Sequence, residues 1–134
     1  MNNGMQVNWN LYQPGFSVET ARRLVNEFQR VRHFFFGDFY PLTPHSVADD
    51  VWIAYQFHRD DLRAGIVLAF RRPQCPSIAL RLKLRALSPE ASYELHFEDS
   101  GAKQVCTGKE LADALAVTIE SAPGSALITY RQVE

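Results

Sequence analysis

The sequence contains little cysteine, and this excludes two kinds of small protein. Only two of its 134 residues are cysteines, Cys75 and Cys106. They are too few for a disulfide scaffold or a cysteine-rich zinc site. We interpret both as reduced thiols in a cytoplasmic chain, with Cys75 as a surface thiol in a loop. A disulfide between the two is the alternative, since only their separation would decide.

Neither sign of charge is in excess. Lys+Arg number 14 and Asp+Glu number 15, so the formal net charge is -1. A dedicated nucleic-acid binder or a binder of anionic membranes would show a basic excess. No apolar run approaches the ~20 residues of a transmembrane helix, and Met1–Met5 lacks the basic start of a secretion signal. The sequence therefore predicts neither a nucleic-acid partner nor a membrane.

Recognisable catalytic and metal-binding motifs are also missing. The four histidines, His33, His45, His58 and His96, form no closely spaced metal-binding pair. No serine lies in a nucleophile elbow, and no glycine-rich phosphate loop is present. We therefore predict no metal and no cofactor.

Acidic residues are present, but their spacing favours turns over catalysis. Glycoside hydrolysis requires two carboxyl groups facing each other across a cleft. We interpret the acids of the first half of the chain as caps and turn residues. A small hydrolase that pairs Asp38 with Asp49 or Asp60 is a further alternative.

The hydrophobic pattern divides the chain into two unequal parts. Apolar residues at helical spacing predict an amphipathic helix over 17–36, with Ser17 as its N-cap and Gly37 at its end. Aromatic residues surround the end of this helix, where one apolar stripe would suffice. We predict that this end is an interface: either it contacts two layers of the fold, or one of the layers that it contacts is missing from the chain. The interface residues are Phe34, Phe35, Phe36, Phe39 and Tyr40.

From about residue 51 onward, apolar residues alternate with polar ones, as in half-buried strands. Six or seven short strands with frequent turns predict a mainly β fold, an antiparallel β-sandwich with an N-terminal amphipathic helix. The predicted division is 1–44 for the N-terminal segment and helix, and 45–134 for the sandwich. The strands are expected near 51–58, 66–70, 78–85, 93–98, 103–106, 117–119 and 126–130.

Six pieces of the sequence, in order, resemble the C-terminal region of family 36 glycoside hydrolases, the α-galactosidase-type retaining enzymes. The resemblance covers about residues 20–131. The pieces are FGDFYPLTP (36–44), DVWIAYQF (50–57), GIVLAFRR (65–72), LKLRALSPEASYE (82–94), TGKEL (107–111) and PGSALITY (123–130).

The resemblance implies a non-catalytic domain of a larger hydrolase of carbohydrate metabolism. In that family an antiparallel β-sandwich follows a catalytic (β/α)₈ barrel, so 1–44 would be a remnant of the barrel end. A barrel needs about 200–250 residues, and the family's catalytic aspartates lie on barrel strands that nothing here matches. The resemblance therefore supplies no catalytic residue. The implied partner is the barrel of an α-galactosidase-like parent.

Two other partners follow from the aromatic residues. A carbohydrate-binding module is the alternative function, with Trp52, Tyr55 and Tyr93 as a platform on which a sugar ring stacks. For Trp52, packing against a neighbouring element is the interpretation we favour. A bare interface would also favour homo-oligomers formed through the helix and residues 34–40.

Overall fold

The computed structural model describes residues 9–134, so the prediction that Met1–Met5 is no secretion signal falls outside the described part. A helix, α1 (Val18–Val31), begins where the Ser17 side chain accepts a hydrogen bond from the backbone N–H of Thr20. The 3-10 turn Arg32–Phe36 continues it and ends at Gly37. The predicted N-cap and the end of the helical region are confirmed.

Eight strands and a second short helix follow in antiparallel arrangement. A six-stranded sheet has the order β1-β2-β3-β8-β5-β6, and a two-stranded sheet pairs β4 with β7. The mainly β fold is confirmed. The elements are β1 (Asp38–Pro41), β2 (Trp52–Arg59), β3 (Ala64–Arg71), β4 (Ala79–Leu82), β5 (Ser92–Phe97), β6 (Lys103–Thr107), α2 (Gly108–Asp113), β7 (Leu115–Thr118) and β8 (Gly124–Val133).

The main core lies between the two sheets. We call the face of the six-stranded sheet that lines this core the inner face. Alternate residues of β2, β3, β5 and β8 bury their side chains there against Leu82 of β4 and Val117 of β7. The inner-face members include Trp52, Ala54, Val67, Ala69, Tyr93, Leu95, Ile128 and Tyr130.

The opposite, outer face of the sheet carries a second and smaller core. Val31 and Phe34, at the end of the helical region, pack here with Phe57, Ile66 and Leu127. β2 is therefore buried on both faces, which explains why its hydrophobic pattern is almost continuous. The helix reaches the sheet through its C-terminal end.

Two sequence predictions need correction, and one strand was not predicted. β1 was not expected, because it is short and ends in Pro41; as an edge strand it tolerates proline and pairs only with β2. The strand expected over 78–85 shortens to β4. Cys75 is buried rather than a surface thiol, because its loop folds back and Arg71 donates hydrogen bonds to the Cys75 carbonyl oxygen at 2.8 and 3.1 Å.

Candidate docking surface

Most of the apolar stripe of α1 is incompletely covered. Only Ala21 and Val31 are buried within the helix, whereas Val18 is 59% exposed and Leu24 36% exposed. Helical periodicity predicted one buried apolar face. Within residues 9–134 that face is only partly covered.

Some residues of the aromatic segment after the helix are packed against the sheet, and others are exposed to solvent. Phe34 is buried in the outer core, and the half-buried Phe35 meets the ring of Phe57 edge-on at 5.0 Å. Tyr40 lies opposite Gln56 in the β1–β2 register and thus on the inner side. Phe36 and Phe39, by contrast, are 65% and 50% exposed. Of the five predicted interface residues, these two present large apolar area to solvent.

Phe39 also forms one wall of a groove on the outer face. We call this the aromatic groove; its volume is about 460 Å³. The ring of Phe39 lies 5.4 Å from that of Tyr55, between centroids. The groove is lined by Phe39, Ile53, Tyr55, Phe70 and Arg72.

Ile53 and Phe70 were not among the predicted interface residues. They are direct cross-strand partners in the β2–β3 register and therefore share one face. Sequence alternation places them on the side of Tyr55, but it does not reveal which face of a sheet stays open. The near-continuous apolar run of β2 is the one feature of the sequence that indicates apolar side chains on both faces of this strand.

The three aromatic residues predicted to bind sugar do not form one platform. Trp52 and Tyr93 are 7% and 2% exposed on the inner face, and the Trp52 indole N–H donates to the Ser77 carbonyl oxygen at 3.0 Å. Tyr55 lies on the outer face, in the aromatic groove. Stacking on a sugar needs an accessible ring face, which Trp52 and Tyr93 lack.

A separate cleft of about 600 Å³ lies between the end of α1 and strands β5, β6 and β8. Its carboxylates have cationic partners: Glu98 accepts from Arg30 at 2.8 Å and contacts His96 Nδ1 at 3.0 Å. The ammonium group of Lys103 lies 3.5 Å from Glu94. The Arg30–Glu98 pair links the end of α1 to the end of β5, whereas the Lys103–Glu94 pair is exposed and lies across two strands already joined by backbone hydrogen bonds.

Two carboxyl groups outside this cleft have shifted pKa values. Burial raises the pKa of Glu27, on α1. Hydrogen bonds from Thr107 lower the pKa of Glu110, which completes the capping box of α2. Among residues 9–134, no three His, Cys, Asp or Glu side chains cluster in a metal-binding arrangement. No helix in this range is long and apolar enough to cross a membrane.

Comparison with solved structures gives the fold a context. The chain is similar to the GH36 alpha-galactosidase AgaB of Geobacillus stearothermophilus, with 26% identity and a TM-score of 0.68 over 87% of this chain and 16% of that chain. The alpha-galactosidase of Lactobacillus brevis gives 21% identity and a TM-score of 0.67, over 90% of this chain and 17% of that chain.

A third solved structure, the GH36 alpha-galactosidase AgaA A355E of Geobacillus stearothermophilus in complex with 1-deoxygalactonojirimycin, is 24% identical. Its TM-score is 0.67, over 87% of this chain and 16% of that chain. No family model matches the sequence, and no curated protein matches it.

This chain thus spans about one sixth of the length of the chains it resembles. The predicted resemblance to one domain of family 36 glycoside hydrolases is confirmed.

Proposed function

We propose that this chain is the non-catalytic sandwich domain of an α-galactosidase-type glycoside hydrolase and that it supports the catalytic barrel of its parent. The observation that carries the proposal is the unequal coverage of the structural matches. They account for 87–90% of this chain but only 16–17% of the α-galactosidase chains. A body of that size is a domain beside a larger one.

The partner surface in this proposal is the exposed side of α1 together with the aromatic groove. The ring of Phe39 lies 5.2 Å from that of Phe57 in the outer core, between centroids, so a barrel seated there would extend a hydrophobic contact that the chain has already begun. Contiguous apolar surface of this kind is usually covered in soluble proteins. In this proposal residues 1–44 form the end of the barrel and residues 45–134 form the sandwich.

One structural detail qualifies that division. β1 lies within 1–44, yet it pairs with β2 along its whole length. The last part of the barrel-end segment would therefore belong physically to the sandwich. The cytoplasmic location remains a prediction, and the two free cysteines favour it.

An activity assay tests the non-catalytic part of the proposal. We expect the purified chain to release no nitrophenol from an aryl α-galactoside above an enzyme-free blank. Turnover would overturn the proposal and favour the small-hydrolase alternative. Asp38→Asn would then abolish turnover, whereas Asp99→Asn would leave it unchanged.

A comparison of self-association between surface variants tests the docking surface. The double variant Phe36→Ser, Phe39→Ser should lower self-association of the free chain in light scattering, because it removes the exposed apolar area. The matched control is Ile78→Ser with Val105→Ser, which changes two residues of similar exposure, 52% and 62%, elsewhere on the surface. Equal effects of the two double variants would count against a specific surface.

A further inference from the structure

Three residues form a row across the inner face of the six-stranded sheet. In the strand register His58 of β2 faces Gly65 of β3, and Gly65 faces Tyr130 of β8. A Cβ atom on Gly65 would overlap the Tyr130 hydroxyl group and the Phe57 carbonyl oxygen. The missing side chain therefore lets Tyr130 cross β3 and reach His58. The Tyr130 hydroxyl oxygen lies 2.9 Å from His58 Nδ1.

The hydrogen bonds around Tyr130 determine the direction of each proton. The side-chain oxygen of Gln56 accepts from the Arg85 backbone N–H at 2.8 Å, which fixes the orientation of the amide. Its nitrogen donates to the Arg85 carbonyl oxygen at 2.8 Å and to the Tyr130 hydroxyl oxygen at 2.7 Å. With its oxygen accepting from Gln56, the Tyr130 hydroxyl group still has its proton to donate, and His58 Nδ1 at 2.9 Å is the acceptor within reach among residues 9–134.

This arrangement assigns to His58 the neutral tautomer with its proton on Nε2. Burial lowers the pKa of His58, although Asp60 and Asp38 oppose that shift. The side chain is only 3% exposed. Within residues 9–134 its Nε2 makes no hydrogen bond, and the nearest carboxylate oxygen, on Asp60, is 4.0 Å away.

The Nε2 side of the ring lines a polar cleft of about 580 Å³. The cleft lies between the β2–β3 turn, the loop after β4 and the ends of β5 and β8. The groups around it include hydrogen-bond donors and acceptors. Its lining includes His58, Asp60, Asp61, Arg63 and Gln132.

The charged side chains that line this cleft carry no excess of either sign once the pairing of Asp61 is taken into account. Asp61 accepts from Arg59 at 2.6 and 2.7 Å, so its charge is compensated outside the cleft. Asp60, with a side chain 97% exposed, and Arg63 remain with opposite signs. A small anion would meet the carboxylate of Asp60, and a cation would meet the guanidinium of Arg63 and the Nε2 proton of His58.

We propose that this cleft binds a small uncharged polyhydroxy compound of monosaccharide size, with the His58 Nε2–H group, which is accessible from the cleft, as its donor. Hydroxyl groups both donate and accept, so one such ligand satisfies His58, Asp60 and Gln132 together. The site shares no residue with the aromatic groove and does not depend on the proposed docking function.

Nuclear magnetic resonance of the isotope-labelled 134-residue chain tests the site directly. The imidazole spectrum of His58 should show an unprotonated Nδ1 and a protonated Nε2. Titration with D-galactose should shift the His58 Nε2 and Gln132 side-chain signals saturably, with a dissociation constant in the millimolar range. Inorganic phosphate and Ca²⁺, added separately as charged probes, should leave both signals in place.

Two single variants distinguish specific binding in the cleft from weak, non-specific contact of the sugar with the protein surface. Asp60→Asn, at an exposed position that should not disturb folding, should weaken D-galactose binding about tenfold through loss of a charged acceptor. The control Asp50→Asn, also exposed but outside the cleft, should bind like the parent chain. Absence of saturable shifts, equal binding by the two variants, or preference for phosphate or Ca²⁺ would each overturn the proposal.

Discussion

The two faces of the six-stranded sheet are buried to different degrees. On the inner face, Leu95, Ile128 and Val67 have no exposed area. On the outer face, Tyr55 and Leu68 are only half-buried around the smaller core, and Phe39 is 50% exposed. The inner face is closed by the second sheet, whereas the outer face leaves part of its apolar surface exposed to solvent. The following four predictions test this difference.

Leucine truncations on the two faces should give the largest contrast. Leu95→Ala on the inner face should lower the free energy of unfolding by about 3 kcal/mol, because it leaves a cavity in a closed core. Leu68→Ala on the outer face should cost about 1 kcal/mol, since its site is partly solvated in the native state. Urea unfolding of both variants measures the difference in unfolding free energy, provided that the m-values of the two variants agree. Equal losses would show that the two faces are equally well packed.

Adding a methyl group to the inner face should have the next largest effect. Gly65→Ala should destabilise the fold by about 2 kcal/mol, because the new Cβ overlaps backbone as well as the Tyr130 ring. The control is Gly101→Ala, at φ +70 with open space around it, where only backbone strain of about 1 kcal/mol is expected. Chemical denaturation of both variants provides the comparison, and a neutral Gly65→Ala would contradict the described approach of Tyr130.

The buried histidine should make the inner face sensitive to acid. The pKa of His58 is lowered in the folded state, mainly by burial. Below about pH 6.5, the ordinary histidine pKa, the unfolded chain therefore binds more protons than the native chain. Stability is highest above that pH and falls as the pH drops toward the folded pKa. Unfolding free energies measured between neutral and mildly acidic pH should show this decline.

His58→Gln should flatten the pH dependence of stability, whatever its effect on absolute stability. The matched control, His45→Gln, changes an exposed loop residue and should retain the slope of the parent chain. Identical slopes for all three proteins would mean that His58 does not contribute to the acid response.

The smallest expected effect is a gain in stability at the loop that Gln56 holds to the sheet. Ala86 has φ 59, in the left-handed region that favours glycine. Ala86→Gly should relieve the local strain and, after the added freedom of the unfolded chain, stabilise the fold by about 0.5 kcal/mol. A small rise in melting temperature would report this gain, and a clear fall would show that the Ala86 methyl group contributes to packing.

Local features were predictable from the sequence because they depend on neighbouring residues. The Ser17 cap, the helical spacing and the period-two strands are of this kind. β1 escaped prediction because four residues ending in Pro41 form a strand only through pairing with β2. The resemblance supplied the domain context that composition and periodicity alone did not.

The candidate sites depend on strand order, which periodicity does not determine. Gly65 lies just before the strand expected near 66–70, and its contact with Tyr130 follows only from the position of β3 between β2 and β8. His58 appeared as one of four scattered histidines, and its link to Tyr130 requires the register of three strands. The burial of Trp52 agrees with the interpretation favoured from the sequence, whereas the burial of Tyr93 depends on how the two sheets pack, which periodicity does not determine.

The junction after α1 has a geometric consequence. Gly37 lies directly against the His58 backbone, too close for any side chain, and the 3-10 turn before it packs Phe34 into the outer core. No slack linker separates the helix from the sandwich. A body bound to the solvent side of α1 would therefore be connected to the sheet through the 3-10 turn and Gly37, with no flexible segment in between.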